Sequence, residues 1–316
     1  MKLPLAHDTL WLVGGTYGLL TIASLLSAAL RRWKDPDRRN PVWTNIVARV
    51  KAWWVMVLIF TAALAVGRIG TLVLFALVSF LALREFVTLT PTRHGDHHAL
   101  FLSFFVALPL QYFLIGLGWY GLFSILIPVY VFALFPIRTA AAGDTTEFLA
   151  RTGKLQWGLM VCVYFVSHGP ALLTLDIPGF AGRNANLLFF LVAVVQLSDV
   201  FQYVWGKLLG RHPIAPTLSP NKTLEGFVGG TASAAAVGAG LWWATPFQPW
   251  QAALLAAVIT LFGFFGGLVM SAIKRDRGVK DFGNLIAGHG GILDRIDSLC
   301  FAAPLFFHLV RQFYTP

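Results

Sequence analysis

Residues 249–270, PWQAALLAAVITLFGFFGGLVM, run without one charged side chain. A helix needs about 20 such residues to cross the hydrocarbon core of a bilayer. The next residues, 271–297, read SAIKRDRGVKDFGNLIAGHGGILDRID. Cations replace the apolar side chains at once, followed by a glycine-rich turn and then carboxylates. Charge is costly beside a bilayer, so a cluster of this kind at the end of a span marks a functional site.

Outward from that boundary the same pattern repeats. The 316 residues are 57% hydrophobic and 12% charged, where a soluble domain averages about 25% charged. Apolar runs fall at about 9–30, 52–67, 71–89, 99–116, 119–136, 155–175, 186–205, 223–245, 249–270 and 298–314. The expected fold is all-α: a polytopic helical membrane protein with eight to ten transmembrane helices. The second and fifth runs are short, and 52–67 with 71–89 is read as a tight hairpin. Arg31, Arg32 and Lys34 follow the first run, which makes it a retained helix with its N-terminus outside. In that orientation every Lys and Arg except Lys2, Arg68, Arg183 and Arg311 falls inside. The expected organisation is a set of transmembrane helices over 1–136 and a catalytic membrane region over 137–316. The polar loops of the second part, 199–226 and 271–297, face the cytoplasm.

Several function classes drop out. The net charge is +10, but the cations sit in short loops between spans, so no nucleic-acid partner is implied. Cys162 and Cys300 lie in apolar runs and read as small buried hydrophobes. No Walker A loop, HExxH or GxSxG is present, which leaves P-loop hydrolysis and covalent acyl chemistry without support. The basic 31–51 segment, with Trp33 and Trp43, reads as an interfacial stretch on anionic headgroups, a specific lipid site being the alternative. Gly263 and Gly267, and the small residues from Gly226 to Gly240, predict close packing of the eighth and ninth spans.

The polar residues suggest phosphate chemistry. Lys274, Arg275 and Lys280 suit a triphosphate, with Arg277 weaker; an ordinary positive-inside loop is the alternative. Asp294 and Asp297 share a helix face, and with Asp281 they suit Mg²⁺, which binds one or two carboxylates plus substrate phosphates. The plainer reading is carboxylates at a helix start, paired with arginines. The Gly288–Gly291 turn lets backbone amides approach an anion. Within it, His289 is either a phosphate contact or part of a structural turn. Asp199 lies within an apolar run and is a site candidate by default. The loop beyond it carries Ser219, Asn221 and Lys222, and Thr223 or Asn221 is placed to cap the next helix. Weaker signals are the loop of His94, Asp96, His97 and His98, with little support as a metal site, and Glu85, read as a local ion pair with Arg84. His168, before Gly169-Pro170, reads as a satisfied histidine in a kinked helix.

The pattern S-x-x-K-R-x4-K-D, G-H-G-G, D-R-x-D resembles the signature of the phosphatidate cytidylyltransferases, or CDP-diacylglycerol synthases. It is carried by Ser271, Lys274, Arg275, Lys280, Asp281, Gly288 to Gly291, Asp294, Arg295 and Asp297. Residues 218–230, LSPNKTLEGFVGG, resemble the same family's S-P-x-K-T-x-E-G stretch. Together these cover roughly the C-terminal third. The resemblance implies transfer of a cytidylyl group from CTP to phosphatidate with Mg²⁺, a second monovalent or divalent cation being an alternative addition. It also implies a homodimer in the plasma (inner) membrane, among membrane lipids, with a cytoplasmic site. On that reading Asp281, Asp294, Lys274 and Lys280 are catalytic. Ser219, Asn221, Lys222, Arg275, His289, Gly290 and Arg295 bind substrate, and Asp294, Asp281, Asp297 and Asp199 hold metal. The chain departs from the pattern at Gly267 and Met270, where many bacterial members carry Asp and Glu, at Ala287, where Pro is usual, and at Gln202, where Ala is usual. The departures mark a divergent branch. Rival readings are the same chemistry on another lipid phosphate, a transporter, and an inactive scaffold.

Overall fold

A computed structural model describes residues 6–35, 40–90, 92–286 and 290–316. Their architecture is helical, as the apolar runs predict. The helices are α1 (His7–Lys34), α2 (Pro41–Val66), α3 (Arg68–Thr88), α4 (His94–Leu117), α5 (Tyr120–Ala140), α6 (Phe148–Thr174), α7 (Ala185–Leu209), α8 (Leu224–Gly240), α9 (Pro249–Asp276) and α10 (Leu293–Tyr314). Eight of these are long and apolar enough to cross a membrane. The other two are α8, with 17 residues, and α10, which carries charge in its first two turns. Helices α4, α5 and α6 each contain one π-helical turn, at Ser103–Ala107, Leu126–Val131 and Met160–Phe165.

The second helix is longer than its apolar run suggests. Asn40 caps it by accepting the Val42 N–H at 2.9 Å, and Pro41 occupies the first turn, where a missing N–H costs nothing. Arg49 and Lys51 therefore lie on a helix rather than in a loop. One residue, Gly67, separates α2 from α3. Its φ of 92° is the conformation that a side chain would resist, so the expected tight hairpin turns on a glycine.

One hydrophobic core runs through α3 to α10, with Phe123, Phe135, Phe190, Phe306 and Phe307 among its fully buried side chains. Helices α7 to α10 pack closely, and the small residues of α8 allow it. A Cβ on Gly229 would stand 2.6 Å from the Trp205 ring, and one on Gly226 would stand 2.7 Å from the Gln202 carbonyl oxygen. Between α7 and α8 the chain forms a short antiparallel hairpin, β1 (Pro213–Ala215) with β2 (Ser219–Thr223), pairing Pro213 with Thr223 and Ala215 with Ser219. Thr223 then caps α8, its hydroxyl oxygen accepting the Gly226 N–H at 3.2 Å.

The histidine-rich loop is built around charge pairing. Arg151 is buried, with Nε 3.2 Å from Asp96 Oδ1, and it donates to Asp144 Oδ2 at 2.8 Å. Arg93 donates to the same Asp144 oxygen at 2.9 Å. The Thr146 N–H, with the two guanidiniums, holds the Asp144 carboxyl down at about 2. Asp96 thus joins the first turn of α4 to α6. His94 and His97 meet edge to face at 4.8 Å. Within α6, His168 Nδ1 meets the Tyr164 carbonyl at 2.8 Å, but its buried Nε2 has no hydrogen-bond partner among the described residues, so it is only half satisfied.

Candidate active site

The second halves of α7 and α9, the first turns of α8 and α10, strand β2 and part of α2 line a cleft of about 440 Å³. Four of the aspartates and lysines singled out in the sequence meet there: Asp199 from α7, Lys222 from β2, and Asp294 and Asp297 from α10. Asn221 and Arg295 share the wall. The i, i+3 spacing of Asp294 and Asp297 directs both to one face of α10, as expected.

Asp294 is buried and fully engaged. Its Oδ1 accepts from Lys274 Nζ at 3.0 Å, and its Oδ2 accepts from the backbone N–H groups of Phe282 at 2.8 Å and Gly291 at 2.9 Å. The pair joins a lysine in the last turn of α9 to a carboxylate in the first turn of α10. Each charge sits at the helix end whose dipole favours it. Asp199 and Asp297 are less committed. Asp199 Oδ1 accepts the Ser298 hydroxyl at 3.3 Å, and Asp297 Oδ1 accepts the Ser298 N–H at 2.8 Å. Ser298 therefore ties α7 to α10 between two carboxylates.

Lys222 supplies the opposing charge from the hairpin. Its ammonium donates to the Phe264 carbonyl at 3.2 Å and lies 4.6 Å from the centre of that ring. Burial pushes it below the ordinary lysine value, and Asp199 and Asp297 push it back up. Gly267 leaves room for it: a Cβ there would stand 2.7 Å from Nζ. The departure at Gly267 is thus filled by a cation. Met270, the second departure, is buried in the core.

Other expected residues lie elsewhere. Arg275 is exposed and donates to the carbonyls of Leu218 at 3.3 Å and Val279 at 3.2 Å, fastening the hairpin to the end of α9. Arg277 pairs with its neighbour Asp276. Ser219 pairs with Ala215 in the hairpin, Lys280 and Asp281 are exposed just beyond α9, and none of the three is on the cleft wall. Gly290, with φ of 80°, is bridged to Ile286 and packs on Asp294: a Cβ there would stand 2.8 Å from Oδ2. Gly288 and His289 lie outside the described residues.

The cleft also contains residues that the sequence did not point to. Arg49 and Trp53, four apart on α2, form a wall together with Gln202 and Tyr203 of α7. Glu85 is engaged differently from the expected pair with Arg84. Its carboxylate accepts the N–H groups of Ile292 and Leu293, both at 2.9 Å. A spacing of i, i+4 for Arg49 and Trp53 was a usable signal once α2 was known to begin at Pro41. Nothing local in the sequence points to the Glu85 contact.

Among the described residues, no three His, Cys, Asp or Glu side chains converge into a ready-made metal cage. Mg²⁺ does not require one, since it is usually held by one or two carboxylates and completed by phosphates and water. Asp199 and Asp297, each accepting one hydrogen bond among the described residues, fit that demand.

Among the described residues, ten apolar or amphipathic helices define a polytopic helical membrane protein, and a charged cleft lies between them. Residues 47–313 match the cytidylyltransferase family, and the chain belongs to that family. It is therefore a nucleotidyltransferase built into a membrane. It is 40% identical over 299 residues to the uncharacterized protein YnbB of Escherichia coli (strain K12), covering 93% of this chain and 96% of that one. It is 42% identical over 137 residues to a phosphatidate cytidylyltransferase of Staphylococcus haemolyticus (strain JCSC1435), covering 42% of this chain and 53% of that one. The corresponding Staphylococcus aureus (strain COL) protein is 41% identical over 134 residues, covering 41% and 52%. These matches span about half the length of the two staphylococcal relatives.

Proposed function

We propose that this protein transfers the cytidylyl group of CTP to phosphatidate, giving CDP-diacylglycerol and pyrophosphate. The observation that carries the reading is the meeting of Lys222, Asp199, Asp294 and Asp297 at a cleft that continues onto apolar side chains of α2, α7 and α8, with Lys274 paired to Asp294 beside it. A diacyl phosphate needs both surfaces: cations for its headgroup and a lipid-facing wall for its chains. The family membership and the phosphatidate cytidylyltransferases among the relatives point the same way.

In the proposed reaction a phosphatidate oxygen attacks the α-phosphorus of CTP in line. The new P–O bond forms as the α–β bridge bond breaks, and the electron pair leaves with pyrophosphate. A phosphate monoester has its second pKa near about 6, so the nucleophile is largely deprotonated at neutral pH and no strong base is needed. The barrier is anion meeting anion, and fixed cations lower it. Lys222 and Lys274 take that role, with Arg295 and Asn221 orienting phosphate oxygens. Asp199 and Asp297 are the residues that would hold Mg²⁺, with Asp294 holding the turn beside them. Such an ion would supply positive charge against the phosphates and the leaving pyrophosphate. The clustering of Lys and Arg on the loops at this end supports a cytoplasmic opening in the inner membrane. A homodimer, suggested by the family resemblance, completes the proposal and is checked by cross-linking in native membranes.

The test is the purified protein in lipid with CTP, Mg²⁺ and phosphatidate. CDP-diacylglycerol formed by wild type and lost in Asp297→Asn supports the reading. Wild-type protein that makes no cytidylyl lipid from phosphatidate, but does from another lipid phosphate, overturns the substrate assignment.

A further inference from the structure

We propose that Glu85 is a positioning residue for the reaction: from α3 it clamps the turn that carries Asp294 into the cleft. The inference rests on the proposed role of the cleft in binding nucleotide, and the clamp itself stands on geometry.

Helix α10 begins without a side-chain cap of its own at Ile292. The first amides of a helix have no partner within it and need one from elsewhere. Glu85, more than 200 residues earlier in the chain, supplies both lone-pair sets: Oε1 accepts from the Ile292 N–H and Oε2 from the Leu293 N–H, each at 2.9 Å. Asp294 grips the same turn from the other side through the N–H groups of Gly291 and Phe282. Three consecutive amides, at 291, 292 and 293, are thus divided between two carboxylates, one of which faces the cleft. Glycines leave the room for this approach. A Cβ on Gly283 would stand 2.8 Å from Glu85 Oε1, and a Cβ on Gly291 would collide with the same carboxylate.

The chemistry explains why this position takes glutamate. Glutamine has the same length but one acceptor and one NH₂ group, so one of the two amides would face a donor. Aspartate keeps both acceptors but falls one methylene short. A carboxylate also complements the positive end of α10, which an amide does much less. The clamp does not touch the α2 and α7 wall, where the lipid is placed. Loosening it shifts Asp294 and its partner Lys274 and leaves the lipid wall in position.

The experiment compares wild type with Glu85→Gln and Gly283→Ala in the full chain. Gly283→Ala keeps the carboxylate and its charge but displaces it. In both variants kcat with CTP is expected to fall, by about tenfold in Glu85→Gln and less in Gly283→Ala, while KM for phosphatidate stays within about twofold. Hydrogen exchange of substrate-free protein is expected to rise across 281–297 and to remain unchanged in α7. Wild-type kcat in Glu85→Gln, or a loss shared equally by the KM of both substrates, overturns the inference. Unchanged exchange across 281–297 overturns it too. If wild type makes no cytidylyl lipid, the proposed function fails alone, and exchange still decides whether Glu85 clamps the turn.

Discussion

Helices α1 and α2 and helices α7 to α10 sit in the same membrane and are held in opposite ways. The first pair presents most of its surface outward, with Trp11, Leu25, Leu26, Val55, Leu58 and Val66 exposed. It is joined by isolated polar contacts: Tyr17 to Thr61 at 2.8 Å, Trp54 to Ser24 at 2.9 Å, and Thr9 to Asn186 of α7 at 2.6 Å. The second group is joined by glycine and alanine surfaces that bring backbones together, and it buries charge between them. Lipid tails are as apolar as leucine, so burial of oil does not drive helices together in a bilayer. Close packing and polar contacts must do so, and of these two groups it is the closely packed one that contains the ion cluster of the cleft.

That contrast can be broken at several points, with graded effects. Asp297→Asn should have the largest, because it removes a carboxylate facing both Lys222 and Asp199. Turnover of CTP into lipid product should drop by about a hundredfold, equivalent to about 2.7 kcal/mol. Gly229→Val should come next. Its side chain would meet the Trp205 ring, and overpacking of this kind costs about 1–3 kcal/mol, read as a lower midpoint of thermal unfolding in detergent. Arg49→Met is expected to act on one substrate only, raising KM for phosphatidate by about fivefold, near 1 kcal/mol, with KM for CTP unchanged. Tyr17→Phe should have the smallest effect. It removes one hydrogen bond between lipid-exposed helices, an interaction that averages about 0.6 kcal/mol in membrane proteins, so unfolding should shift barely and turnover not at all. A large loss of turnover in Tyr17→Phe would show that the outer pair shapes the site after all.

Much of this arrangement was legible in the sequence, and the reasons for the rest are physical. Spans announce themselves by length and composition, so ten runs gave ten helices. The exception was the start of α2, where Thr44, Asn45, Arg49 and Lys51 interrupt the apolar pattern while Asn40 and Pro41 start a helix in spite of it. The cluster over 271–297 was legible because its charges are so out of place. What the individual charges do was less so. Arg275 resembles a phosphate ligand, yet its guanidinium is engaged by two carbonyls. Lys280 and Asp281 lie in the pattern but are exposed and off the cleft wall. The short hairpin and the reach of Glu85 across the chain depend on tertiary proximity, which no local pattern encodes.

The packing of Lys222 against Gly267 has a consequence for how the protein is made. Asp199, Asp294 and Asp297 are answered by Lys222, Lys274, Arg295 and Arg49, so the carboxylates around the cleft meet their counter-charges within the chain itself. A newly inserted protein can therefore close its helices around these charges without waiting for nucleotide. Biogenesis and catalysis are separable, and a variant that loses its reaction through a neutral swap of one ligand can still accumulate, folded, in the bilayer.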